Sequence, residues 1–180
     1  MRVIAGSRKG HTIAAPPGTD TRPTSDRVRE NLFNLVGPVD GARVLDLFAG
    51  SGALGIEALS RGAASAVFVE HDPDAVRTIE RNLDRLRLTG ARVVSGDVLR
   101  TIAQEETAAA KYDLVLVDPP YGMLTEIQPR LARHLPSLLA ADGLVVVETD
   151  ARTEPELPLP VRTSRKYGQT RVTLFEAAAA

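Results

Sequence analysis

The chain has 180 residues, 43% of them hydrophobic and 25% charged, with a formal net charge of −1. That suffices for one domain with a full core and a small appendage, and no apolar run is long enough to span a bilayer. With no cysteine, disulfides, thiolate metal sites and cysteine nucleophiles are excluded, and His11, His71 and His134 lack metal-ligand spacing. The first residues show no signal-peptide pattern, so the expected compartment is the cytoplasm.

The near-neutral sum hides an uneven distribution. Residues 1–29 carry Arg2, Arg8, Lys9, Arg22, Arg27 and Arg29 against Asp20 and Asp26, and residues 161–175 carry Arg162, Arg165, Lys166 and Arg171 with no acid. If the two ends meet in the fold, they form one phosphate-facing patch.

Two short strand-like stretches, 3–6 and 11–15, joined through Gly6-Ser7-Arg8-Lys9-Gly10, predict a β-hairpin with a basic tip. Pro16-Pro17-Gly18 ends it. Thr24, Ser25 and Asp26 offer N-caps for a helix whose apolar face is Val28, Leu32, Leu35 and Val36, and Gly37-Pro38 stops it. The chain then alternates. A strand over Val44–Phe48 leads through a glycine turn to a helix near Ala53–Ser60, and a second strand covers Ala66–Glu70. Asp72 caps a helix with Pro73 first and Val76, Ile79, Leu83 and Leu86 inward. Further strands fall at Arg92–Val94, Leu114–Val117 and Leu144–Val147, the last preceded by a helical stretch around Glu126–His134 and the turn Asp142-Gly143. Residues 161–167 and 170–175 form a closing hairpin, and Ala177–Ala180 reads as a frayed tail. Repeated strand–helix units predict an α/β fold with a mostly parallel sheet, helices on both faces and an antiparallel edge. The expected division is an N-terminal β-hairpin extension over 1–21, one domain over 22–176 and a tail over 177–180.

Gly50-Ser51-Gly52-Ala53-Leu54-Gly55 matches G-x-G-x-x-G between a strand and a helix. Such glycines let the backbone turn tightly and approach a ligand. Glu70 ends the next strand, where an acid meets ribose hydroxyls. The pattern alone also fits a dinucleotide. Against that, the loop has no nearby lysine or arginine for phosphates, and Asp46 supplies a carboxylate suited to a cation. The run Asp46-Leu47-Phe48-Ala49-Gly50-Ser51-Gly52 resembles the first motif of S-adenosyl-L-methionine methyltransferases. The cofactor set is therefore Asp46, Phe48, Gly50, Gly52 and Glu70, with His71 beside the ribose. After the third strand, Asp97 either accepts the adenine amino group or serves as a helix N-cap, and the Val98 N–H suits a ring nitrogen.

Asp118-Pro119-Pro120-Tyr121 follows the apolar run 114–117. It delivers an acid, two stiffening prolines and a ring to the carboxyl edge of the sheet, where open α/β sheets carry their chemistry. The tetrad resembles the signature of methyltransferases that modify exocyclic amino nitrogens of nucleobases or the amide nitrogen of glutamine; all four residues are catalytic candidates, and Asp118 also borders the cofactor.

Over nearly its whole length the chain resembles the RsmD-type 16S rRNA guanine-N2 methyltransferases. The resemblance rests on Arg2-Val3-Ile4-Ala5-Gly6, on the run from Arg22-Pro23-Thr24-Ser25-Asp26 through Arg27-Val28-Arg29-Glu30, on Asp46–Gly52, Glu70-His71-Asp72 and Asp118–Tyr121, and on Lys166-Tyr167-Gly168-Gln169-Thr170. The N-terminal run is the sharper signal. The resemblance implies a Rossmann-like, seven-stranded class I methyltransferase sheet. It also implies methyl transfer from S-adenosyl-L-methionine to N2 of one guanine in 16S rRNA, guanine 966 in that family, within a small ribosomal subunit or assembly intermediate. It places Thr24 over the cofactor, a role that competes with plain N-capping. The guanine must leave its stack. Tyr121 then stacks on it, while Asp118 and the Pro119 carbonyl accept the two N2 protons. Arg2, Arg8, Lys9, Arg22, Arg27, Arg165 and Lys166 are the candidates for RNA phosphates, and a monomer is expected. Four alternatives stay open: a DNA adenine or cytosine amino-methylase, a protein glutamine methylase, an NAD-dependent oxidoreductase and a non-catalytic RNA-binding module.

Overall fold

The computed structural model describes residues 1–18 and 25–178. In chain order the elements are α1 (Asp26–Val36), β1 (Arg43–Leu47), α2 (Ala53–Ser60), β2 (Ser65–Glu70), α3 (Pro73–Leu86) and β3 (Ala91–Ser95). Then come α4 (Val98–Thr107), β4 (Tyr112–Val117), α5 (Leu124–Leu138), β5 (Leu139–Asp150), β6 (Val161–Tyr167) and β7 (Thr170–Glu176). The strands form one seven-stranded sheet ordered β3-β2-β1-β4-β5-β7-β6. β1 to β5 pair in parallel, and β7 runs antiparallel to β5 and β6. The strand order reverses at β1: the chain builds outward to β3, then returns to place β4 on the other side. That reversal opens a crevice at the carboxyl ends of β1 and β4.

Strand alternation sorts the apolar side chains onto two faces. Val44, Phe68, Leu116, Val146, Val172 and Leu174 pack with α1, α2 and α3. Leu45, Leu47, Val69, Val117, Val147 and Phe175 pack with α4 and α5. The helices start where the sequence predicts caps: the Ser25 hydroxyl accepts from the Val28 N–H at 3.2 Å, and Asp72 accepts from Asp74 and Ala75 ahead of Pro73.

Four expectations change. The N-terminal stretches do not form strands. They share a single bridge, Arg2 with Thr12, around a 3-10 turn at Gly6–Arg8. Around that bridge the Val3 N–H donates to the His11 carbonyl and the Ile13 N–H to the Met1 carbonyl, but from Ile4 onward the backbone turns to α2. The Ile4 and Ala5 N–H groups donate to Glu57 at 2.8 and 3.0 Å, and the Arg8 N–H donates to the Ser60 hydroxyl. Gly6, at φ 80°, lies so close that a Cβ would sit 1.8 Å from the Ser60 carbonyl oxygen. Val3 and Ile13 are 2% and 1% exposed and join the α1–α3 core, so this segment is built into the fold; the expected boundary at 21/22 lies outside the described residues. Helix α4 entered the sequence reading only through Asp97 as a possible N-cap, because its buried face holds only Val98, Thr101 and Ile102. β5 is longer than expected: the predicted turn at Asp142-Gly143 is absorbed into a register shift against β4, where Gly143 lies against the Ala140 and Tyr112 carbonyls. Finally, Ala177 is tied down, its N–H donating to the Gly143 carbonyl at 2.9 Å.

Candidate active site at the strand reversal

Leu47 of β1 is level with Val69 of β2 and Val117 of β4. The residues that follow, Phe48, Glu70 and Asp118, therefore line the carboxyl edge in one row. Phe48 turns the chain with a φ of 61°, the left-handed region that non-glycine residues occupy at a cost of roughly 1–3 kcal/mol. Gly50 and Gly52 follow at φ 56° and 79°, and Gly52 leads into α2. A Cβ on Gly50 would meet nothing nearer than the Phe48 carbonyl oxygen at 4.0 Å, so the space above the turn is open. Gly55 is the opposite case: its Cβ would lie 2.3 Å from the Phe68 ring. Only glycine lets α2 sit this low on the sheet.

The predicted acids do converge. Asp46 is 1% exposed and its Oδ2 accepts the Gly55 N–H at 2.9 Å, so it also fixes the first turn of α2. Burial pushes its carboxyl well above the usual carboxylate range. The Gly55 N–H pulls the other way, and the charges of Asp118 and Glu70 add to the rise. Glu70, 7% exposed, accepts the Gly50 N–H at 2.9 Å on Oε2 and the His71 and Asp72 N–H groups on Oε1. It therefore braces the glycine turn. His71 stands at the exposed rim, its Nδ1 3.1 Å from Glu70. Two carboxyls whose charge bears on a third, beside a glycine turn, form a site that a cationic ligand would relieve.

Asp97 is exposed and caps α4, its Oδ1 accepting the Arg100 N–H at 2.8 Å. Val98 opens that helix, where N–H groups have no partner within the helix. In the tetrad, Asp118 stays in the sheet, its N–H 3.5 Å from the Leu47 carbonyl oxygen. Pro119 is buried, Pro120 is exposed and Tyr121 is 67% exposed. The Tyr121 ring thus lies outside the core. Thr24 and Arg22 lie outside the described residues.

The basic residues do not form one patch. Arg8 donates to the carbonyls of Leu86 and Arg87 at the end of α3, and its neighbours in the 3-10 turn lie against Ser60 at the end of α2. Both helices end at the amino edge of the sheet, so Arg8 and Lys9 lie about 20 Å from the crevice, the length of a 14-residue helix. By contrast, Tyr167 and Thr170 pair across the closing hairpin, and Thr170 pairs with Asp150 at the carboxyl end of β5. Arg165 and Lys166 are thus on the same edge as Tyr121. Arg2 and Arg27 are exposed beside the start of α1, with Arg2 3.9 Å from Asp26. Arg171 is not a surface charge: it is 7% exposed and held by Glu154, the Ala151 carbonyl and Ser164. Two hollows of about 390 and 420 Å³ also lie at the amino edge. Of the charged groups lining them, Arg61 is engaged by Glu57 and Asp113 by Arg43.

Sequence reasoning missed the supporting roles of three residues. Asn82, 2% exposed, donates to the Ser51 and Ala14 carbonyls and accepts the Ala14 N–H, stapling the glycine turn to the N-terminal segment. Glu57 of α2 and Arg29 of α1, both 0% exposed, tie those helices to the same N-terminal segment. The available signal was a polar residue on the apolar face of α3 and an acid inside the otherwise apolar stretch 53–59.

Residues 1–176 match the family described as "Conserved hypothetical protein 95". The chain belongs to that family. A Bacillus subtilis relative named "Putative rRNA methyltransferase YlbH" is 42% identical, covering 98% of each chain. The Escherichia coli K12 protein named "Ribosomal RNA small subunit methyltransferase D" is 37% identical over 99% of this chain and 91% of its own. The solved structure of a Thermus thermophilus hypothetical protein, TTHA0928, superposes with a TM-score of 0.85 at 36% identity, covering 98% of this chain and 99% of that one. A protein 36% identical to this chain thus has the same fold, and two relatives at 37% and 42% identity are named as rRNA methyltransferases. Within the family fold, the crevice row of Phe48, Glu70 and Asp118 is the candidate centre.

Proposed function

We propose that this family member transfers the methyl group of S-adenosyl-L-methionine to the exocyclic N2 of a guanine in 16S rRNA, acting on the small ribosomal subunit or its assembly intermediate. The observation that carries the reading is the tetrad Asp118–Tyr121 standing beside an acid-lined glycine turn at the strand reversal, in a chain whose relatives are named rRNA methyltransferases. The residues fit the cofactor: Gly50 leaves room above its turn, and Asp46, Glu70 and Asp118 gather negative charge where a sulfonium would be stabilised. S-adenosyl-L-methionine supplies the electrophilic methyl and leaves as the neutral thioether.

The chain's own part is positioning. Tyr121 offers its exposed ring to a base out of its stack. Asp118 and the Pro119 carbonyl accept the N2 protons, which frees the nitrogen lone pair from the ring and aims it at the methyl. Positioning of this kind accounts for most of a transfer between bound partners. Arg165 and Lys166 hold phosphates on the same edge, with Arg2 and Arg27 beside α1.

The test is transfer of labelled methyl to unmodified small subunits, with naked 16S rRNA and duplex DNA alongside, followed by nucleoside analysis. Label in N2-methylguanosine from subunits supports the reading. Label only in DNA or in N6-methyladenosine replaces it with a DNA or adenine amino-methylase. Asp118→Ala is expected to lower transfer at least about 100-fold with cofactor affinity nearly intact; near-normal turnover removes Asp118 from this role.

A further inference from the structure

Glu148 lies near the end of β5, outside every motif of the sequence analysis, yet it is only 9% exposed. A carboxylate this deep is costly to desolvate, and such groups gather at working sites. β4 and β5 run parallel with Val117 level with Val147, so Asp118 and Glu148, the next residues, are level too. The Asp118 N–H still points into the β1 ladder, which keeps Asp118 in the pleat. Val117 and Val147 pack on the α4/α5 face, and Leu116 and Val146 on the other. Alternation therefore turns both carboxyls to the α1–α3 face, where the charge of Asp118 also reaches Asp46. Strands lie about 4.8 Å apart, so the two acids form adjacent posts at the mouth of the crevice. On the far side Glu148 is paired with Val172, which is 0% exposed and closes that flank with hydrocarbon.

The Watson–Crick edge of guanine presents donors at N2 and, beside it, at N1. Adenine presents an acceptor at N1. Once Asp118 and the Pro119 carbonyl take the N2 protons, the N1–H needs an acceptor one step along the same edge. A carboxylate one strand over, longer than Asp118 by one methylene, stands on that side. We propose that Glu148 accepts the N1–H of the target guanine and so selects guanine against bases with an unprotonated N1. The proposal rests on the guanine-N2 reading above. Glu148 is a specificity residue in it, and Asp118 remains the group at the reacting nitrogen.

The experiment compares wild type, Glu148→Gln and Glu148→Asp on small subunits reconstituted with either guanine or 2,6-diaminopurine at the methylated position. Diaminopurine keeps the 2-amino group but turns N1 into an acceptor. Wild type is expected to prefer guanine by at least about 100-fold in kcat/KM, because a site built for a buried hydrogen bond rejects the analogue that leaves it unmade. Glu148→Gln, whose amide can donate, is expected to lose about tenfold on guanine and gain at least about tenfold on diaminopurine, with cofactor affinity within about twofold of wild type. Glu148→Asp keeps the acceptor and keeps the preference for guanine. A gain on one base with a loss on the other is not something a merely structural residue produces. Glu148→Gln with wild-type preference, or with equal losses on both bases, overturns the proposal. If wild type forms no N2-methylguanosine on either substrate, the underlying reading fails and takes the proposal with it; if wild type methylates both bases equally, only the role of Glu148 falls.

Discussion

Removing the Glu57 carboxylate by Glu57→Ala tests how the N-terminal segment is held. Glu57 is 0% exposed and accepts from the Ile4 and Ala5 N–H groups at 2.8 and 3.0 Å and from Arg61 Nε at 2.7 Å, with Arg29 Nε at 3.9 Å. Deleting one partner of a buried ion pair costs about 3–5 kcal/mol, because the remaining charge stays desolvated. The two backbone donors would each add about 1–3 kcal/mol if they stayed buried without an acceptor. They need not stay buried: the segment can peel away, at the expense of the Val3 and Ile13 contacts, worth roughly 1.5–3 kcal/mol each. The cheaper route sets the limit, so the expected loss is about 3–5 kcal/mol. For a chain of this size that is a fall in Tm of about 6–20 °C. Circular dichroism melting measures it, and limited proteolysis checks whether cleavage moves into residues 1–18. A loss under about 1 kcal/mol, with protection unchanged, would refute the reasoning and leave Val3 and Ile13 as the anchors.

Asn82→Ala breaks three hydrogen bonds between the glycine turn, α3 and Ala14; urea unfolding should show a loss of about 2–4 kcal/mol, and calorimetry a weaker S-adenosyl-L-methionine complex. Stability without that weakening would mean the Ser51 turn holds its shape alone. Salt titration of subunit binding separates the two edges. Arg165→Ala with Lys166→Ala should flatten the log–log slope by about 1.4, at roughly 0.7 per phosphate contact on single strands. Lys9→Ala should leave the slope unchanged, and the reverse pattern would move the RNA to the amino edge. The raised Asp46 carboxyl gives a signed pH dependence. Its proton is held more tightly in the folded protein than in the unfolded chain, so the free protein loses stability as pH rises from the ordinary carboxylate value through the raised one. A sulfonium favours the ionised form, so its binding releases protons in that window. Affinity for S-adenosyl-L-methionine relative to S-adenosylhomocysteine should therefore rise with pH there; a flat ratio, measured by calorimetry, would disconnect Asp46 from the cofactor's charge.

Much of the candidate site was legible because its logic is local. Gly50 and Gly52 are needed for positive φ, Asp72 and Ser25 for helix caps, and the two prolines after Asp118 for a stiff turn, and each reads from residue type and spacing alone. The alternation of buried strands with amphipathic helices likewise determined the parallel sheet and its antiparallel edge. What the linear chain could not carry is which local features face one another. Basic residues at both ends look like one patch in the sequence, yet the return of each helix to the amino edge puts Arg8 on the carbonyls closing α3, while the β6/β7 turn brings Arg165 and Lys166 to the carboxyl edge. Asp97 is seen to cap a helix only once α4 forms behind it. Asn82 and Glu57 look like lapses in an apolar pattern until the N-terminal segment lies against them and supplies the partners. Glu148 gains its meaning only from the register of β4 against β5. Hydrogen bonds along the backbone act over four residues and leave a periodic trace in the sequence. Strand register and the docking of distant segments act across the fold and leave none, so only the tertiary structure decides them.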